Sequence, residues 1–332
     1  MTNSKRSSYL SIAALFVIGI CLPLVLKKYQ LNMLTEIVIF SLYAVSYNLL
    51  LGYAGLLSFG HAMFFGTGAF TVAVSLIHIQ GLSLWGALLL AVAITTVTGF
   101  VSGLFLLRHK GAYFALLTLA FNSIFYAIAT KWHSITGGDD GLSIKRPALN
   151  LGWTLVNLAD RVNFYYLTLF VVGAAMLFCW YFTQTAMGQT VLLMRENEER
   201  MKFLGYSTRI SRLILFTFTG AVAGLAGAFY TLHFQFVSIS AISVDMTTTV
   251  LLMTFVGGTG TFWGPILGAF CYIILQNYLS DVTDRWPLIM GLIFVAMVMF
   301  VPGGLSQVIH WARGLLLGRK AEIGAAGSEG RL

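Results

Sequence analysis

The sequence predicts an all-α fold, a polytopic transmembrane helix bundle of about ten spans with glycine-interrupted helices. Three observations predict it. Of 332 residues, 58% are hydrophobic and only 10% charged, where a water-soluble domain carries nearer a quarter. The apolar residues gather in runs of roughly 20, the length that crosses a bilayer's hydrocarbon core. The charges collect between those runs, where they need not enter hydrocarbon. The net charge of +8 is dispersed over these islands, so it is no nucleic-acid footprint.

In chain order the spans are 9–26, 31–51, 60–79, 83–107, 112–130, 164–183, 213–236, 245–258, 264–280 and 287–306. Lys5 and Arg6 precede the first span in the manner of a secretory signal. No small-x-small cleavage site follows, only Lys27-Lys28-Tyr29, so the first span is expected to stay. An even count puts both termini, residues 1–8 and 307–332, on one side. With those termini in the cytoplasm, 13 Lys and Arg lie inside against 7 outside, as the positive-inside rule favours. Lys27 and Lys28 run against it. The longest external segment, 131–163, opens on a turn-rich stretch, Thr136-Gly-Gly-Asp-Asp-Gly-Leu142, and reads as an ordered loop or an external contact.

Residues 184–212 are the strongly charged island, and on this topology a cytoplasmic loop. Arg195, Glu196, Glu198, Glu199, Arg200, Lys202, Arg209 and Arg212 fall in it. Met194, Met201 and Leu204 recur at helical spacing, with Gly205 placed as a stop. The expectation is one short amphipathic helix, docked on a protein partner or lying on lipid headgroups. Its mixed charges favour the protein, since lipid-surface helices are mostly basic.

Two glycine clusters break the plain helical pattern. The first, 48–70, carries Asn48, Gly52, Tyr53, Gly55, Ser58 and His61; the second, 256–269, carries Gly257, Gly258, Gly260, Trp263, Gly264 and Pro265. Glycine and proline weaken helices. At membrane depth irregular backbone survives only when buried in protein or lining a cavity. Interrupted helices in both halves therefore point to a translocation path, with tight helix packing through small residues as the plainer alternative. Gly99, Gly103, Gly220, Gly224 and Gly227 read as packing positions.

Other chemistry is missing from the pattern. There is no Gly-Lys pair, hence no phosphate-binding loop of that kind and no ATP hydrolysis by it. The histidines are scattered, no metal-ligand spacing occurs, and Cys21, Cys179 and Cys271 lie singly in apolar runs. Acids are scarce in the spans, Glu36 and Asp245 sitting near predicted ends, which disfavours a proton-coupled carrier. A stand-alone secondary transporter or channel stays open, and a membrane enzyme has little support.

Ordered motifs from about residue 30 to 306 carry a resemblance. They are GYAGLLSFGHAMFFGTGAF at 52–70, GAYFALLTLAF at 111–121, TGGDDGL at 136–142 and MRENEERMKFLG at 194–205. FTGAVAGLAGAFY at 218–230, VGGTGTFWGPILGA at 256–269 and VPGGL at 301–305 complete them. The chain resembles the permease subunits of bacterial ABC importers for branched-chain and other hydrophobic amino acids, the longer of their two permease types. The resemblance implies a permease domain over 9–306 in the bacterial inner membrane, with no cofactor of its own. ATP and magnesium would sit on two separate ATP-binding subunits, beside a second homologous permease and a periplasmic solute-binding protein. It implies that 184–212 is the coupling loop docking on the ATPase, with Gly188, Arg195, Glu196, Glu198, Glu199, Leu204 and Gly205 as its residues. The family's usual Ala-Ala pair is replaced by Arg200-Met201, a bulkier pair needing a wider groove. Related urea permeases, which resemble it less, carry a long insertion near the third and fourth spans.

Overall fold

The structure, a computed structural model, describes residues 19, 22–24, 26–147, 149–150, 155–301 and 303–307. The expected span 9–26 and the two termini thus lie almost wholly outside the described residues. The other nine expected spans each coincide with a helix. They are α1 (Lys28–Asn48), α2 (Ala62–His78), α3 (Leu84–Leu106), α4 (Ala112–Lys131) and α5 (Arg161–Gln184), then α8 (Thr208–Phe234), α9 (Val244–Gly257), α10 (Gly264–Val282) and α11 (Trp286–Phe300). Between α5 and α8 lie two further helices, α6 (Ala186–Glu196) and α7 (Glu198–Phe203).

Among the described residues, five helices are long and apolar enough to cross a membrane: α1 with its π-helical extension Leu49–Tyr53, α3, α4, α5 and α8. Two of the helices that border the glycine clusters are shorter. α2 has 17 residues and α9 has 14, about 25 and 21 Å at 1.5 Å per residue. A hydrocarbon core is roughly 30 Å thick. Both helices therefore stop short of a full crossing, and the chain turns where glycine allows it.

α1 and α8 form the centre. α1 packs on α5, α8, α9 and α10, while α8 packs on α1, α2 and α3. Small residues permit the close approach. A Cβ on Gly68 would meet the backbone of Gly224, one on Gly227 the carbonyl of Phe65, and one on Gly99 the backbone of Thr217. The packing role expected for the α3 and α8 glycines is what the structure shows. Between these ridges sit large buried rings, Tyr43, Tyr47, Phe64, Phe65, Phe216 and Phe229 among them. The outward faces of α3, α4, α5 and α11 are apolar and exposed, as at Leu89, Leu116, Phe170 and Met299. Such faces suit lipid or another apolar subunit.

The loop after α4 is ordered where described. Thr136 Oγ1 accepts from Gly138 N, and Leu142–Ser143 pairs antiparallel with Phe236–Val237 just after α8. Arg146 fixes its middle. Its Nε donates to the Leu232 carbonyl at 2.6 Å and its Nη2 to the His233 carbonyl at 2.5 Å, with the guanidinium 4.0 Å above the Phe164 ring. A cation against the last carbonyls of α8 is favoured by the helix dipole. This end of the bundle is opposite the charged island, because α8 carries Arg212 at its start and His233 at its finish.

Candidate functional site

The charged island folds as two helices, which corrects the single amphipathic helix expected from the sequence. The physical reason is Asn197. Its backbone is extended, with φ −154° and ψ 97°, and its side chain caps α7 by accepting from Arg200 N at 2.9 Å. Met194 and Met201 are buried as the spacing implied, but Leu204 lies 65% exposed, outside that stripe. Gly205 follows at φ +84°, a left-handed stop that a side chain would strain. Gly188 sits in the first turn of α6, its N–H donating to Thr185 Oγ1, packed against Phe182 and Thr183.

Glu198 turns inward and gathers cations. It pairs with Lys110 at 2.6 Å, Arg212 at 2.5 Å and Lys202 at 3.2 Å, and accepts from Thr208 Oγ1. Partial burial pushes this carboxyl up, but the hydrogen bonds from Lys110, Arg212 and Lys202 and the Arg212 charge outweigh it and hold it at about 2. The turn between α3 and α4, α7 and the start of α8 are thus tied at one carboxylate. Glu196 and Glu199 point to solvent, as do Phe203, 91% exposed, and Tyr206, 50% exposed.

Arg195 reaches the other way. Its Nη1 donates to the Gly52 carbonyl in the π-helical turn that ends α1, and its aliphatic stem lies against Gly55. Gly52 in turn abuts the Thr259 carbonyl, where a Cβ would not fit. Asn48 Nδ2 donates to the Thr261 carbonyl at 3.1 Å. The charged loop and both glycine clusters, far apart in sequence, therefore meet at one junction. Beside it opens a cavity of about 590 Å³ lined by Leu51, Gly55, Lys110, Arg195, Glu198 and Thr259 among others.

Not every glycine-cluster residue faces that cavity. Ser58 and His61 are buried in an aromatic pack, with His61 Nε2 3.0 Å from Ser46 Oγ and its ring stacked on Tyr43. Tyr53 is half-buried. Gly257 and Gly264 press together where α9 meets α10, Pro265 sits in the first turn of α10, and Trp263 lines a separate apolar cavity with Leu34 and Tyr165. Gly258, at φ +104°, packs beneath Gly303 and Gly304 of the closing motif; Gly260 has open space. Close packing thus accounts for most of the second cluster, and the junction for Asn48, Gly52 and Gly55. Sequence reasoning missed Lys110 and Arg212 as partners of Glu198, and Thr259 and Thr261 as the facing carbonyls. The exposed aromatics Phe203 and Tyr206 were legible as apolar residues in a charged loop.

Comparison with known proteins extends this geometry. The family model described as branched-chain amino acid transport system / permease component matches residues 29–302. The chain is 29% identical to the high-affinity branched-chain amino acid transport system permease protein LivM of Escherichia coli K12, covering 91% of this chain and 76% of that one. It is 30% identical to the protein of the same name from Salmonella typhimurium, with the same coverage. A probable branched-chain amino acid transport permease protein LivM of Methanocaldococcus jannaschii is 28% identical over 71% of this chain and 77% of its own. No solved structure matches.

Proposed function

This chain belongs to the permease-component family of branched-chain amino acid transport systems, and on that basis we propose that it conducts branched-chain or related hydrophobic amino acids inward across the inner membrane, driven by ATP hydrolysed on other subunits. A second, homologous permease completes the path. Two ATP-binding subunits, holding ATP and magnesium, dock on the cytoplasmic face formed by α6 and α7, and a periplasmic binding protein delivers cargo at the opposite end. The permease names of the LivM relatives support the cargo class.

One observation carries the mechanism: the Arg195 hydrogen bond to the Gly52 carbonyl. A loop moved by the ATPases pulls directly on the turn that ends α1, and through Asn48 on the Thr261 segment before α10. Exposed Phe203, Leu204 and Tyr206 supply the apolar face that a groove would grip. ATP shifts the path between inward- and outward-facing states only through its differential affinity for the two.

Affinity purification from native membranes is expected to recover the second permease and both ATPases; a lone chain active in uptake would end this reading. In reconstituted vesicles, Arg195→Ala is expected to cut leucine uptake at least tenfold with the ATPases still bound. Uptake at the wild-type rate would show that Arg195 transmits nothing.

A further inference from the structure

At the end of the bundle away from the charged loop lies a second cavity, of about 440 Å³. It stands beside the first turns of α1, some 16 residues before Gly52, and so about 24 Å along the helix from the Arg195 junction. Its volume falls within the roughly 300–1,000 Å³ typical of small-molecule sites. Its lining is unusual for a chain so poor in charge. Glu36 enters from α1, Arg161 from the first position of α5, and Arg146 from the loop between α4 and α5.

These three groups are not spent on one another. Among the described residues, neither Glu36 nor Arg161 forms a salt bridge. Arg146 is committed to the Leu232 and His233 carbonyls, so it contributes charge rather than free donors. The Arg161 charge is felt there: burial first, and then that neighbour, lower the Arg146 guanidinium to about 10. An ionisable group within a membrane helix is costly unless it has work to do. Glu36 is the one acid in α1, and it lines the same cavity as these two cations while forming no salt bridge with either. Asn32 and Asn277 add hydrogen-bonding amides, and Met33 and Phe234 form an apolar side.

We propose that this cavity is a subsite for the zwitterionic backbone of a free amino acid, with Glu36 receiving the α-ammonium, Arg161 the α-carboxylate, and Met33 and Phe234 the apolar side chain. A group with both charges satisfies a half-buried carboxyl group and a free guanidinium together, whereas either charge alone leaves one unpaired. The subsite would hold cargo at the mouth of α1 before it reaches the glycine junction. The same chemistry occurs in a phosphatidylethanolamine headgroup, the other occupant to be separated by experiment. The inference deepens the import reading above and rests on it for the direction of entry.

The test is direct binding of labelled L-leucine to the purified full transporter in nanodiscs, without binding protein. The expected result is saturable binding, weakened at least tenfold by Glu36→Gln and by Arg161→Gln, and restored by Arg161→Lys. 4-Methylpentanoate and isoamylamine, each lacking one charge, should not compete. Wild-type affinity in both Gln variants that remain monodisperse, or absence of binding to the wild type, overturns the subsite. If the two Gln substitutions instead reduce phosphatidylethanolamine retention without changing leucine affinity, the site belongs to lipid and the proposal is wrong. Uptake by the complete importer, measured in parallel, reports on the import reading separately.

Discussion

Glu198 shows how one side chain can hold a loop together. It carries three cationic partners drawn from three different segments. Its carboxyl is held at about 2, well below its ordinary 4.5. A folded-state value below the unfolded one gives stability that is fully present above the unfolded pKa and is lost as pH falls through the folded value. The melting temperature of the detergent-solubilised protein should therefore exceed that of Glu198→Gln by a constant margin from pH 8 to about 4.5. That margin should close as pH approaches 2. A margin that widened on acidification would place the clamp elsewhere. The sequence marked Glu198 as part of a coupling surface but could not reveal its partners. Lys110 lies 88 residues away, and no local spacing links the two. Arg195 was likewise visible as a charge, while its carbonyl acceptor was not, because backbone acceptors leave no trace in residue type.

Among elements, the break at Asn197 has the largest consequence. An unbroken helix from Ala186 would carry one apolar stripe; the kink lets Met194 and Met201 face inward while Phe203, Leu204 and Tyr206 project. Asparagine is a favoured cap residue, but the expectation of a single helix rested on the period of Met194, Met201 and Leu204 and gave Asn197 no role. Among the described residues, Phe203 is the most exposed large apolar one, in a chain segment too charged for lipid. Phe203→Ala is expected to weaken association of the purified ATPase subunits by about 2 kcal/mol, roughly thirtyfold. Titration of those subunits onto the permease in nanodiscs measures it, and an unchanged affinity would move the anchor off α7. The short helices α2 and α9 were legible as spans because hydropathy counts apolar residues. Their early ends depend on where glycine-rich backbone turns, which hydropathy does not register.

For the whole molecule, nine helix positions could be read from apolar runs alone, since each must satisfy its own backbone bonds in hydrocarbon. What could not be read is which helices are central. α1 and α8 resemble their neighbours in composition, and only the packing shows them surrounded. The orientation drawn from basic residues makes a further prediction. With the native cysteines replaced, Tyr29→Cys should react with a membrane-impermeant maleimide in intact spheroplasts, and Phe203→Cys only in inverted vesicles. The opposite pattern would reverse the molecule in the bilayer. The seat of Gly258 beneath Gly303 and Gly304 bears on biogenesis. The turn between α9 and α10 rests on residues made well after it, so it cannot reach its final form until the ribosome has released them. The second break is thus a late-closing joint, finished only when Gly303 and Gly304 are in place, and a chain stalled before residue 303 would leave it open to quality-control proteases.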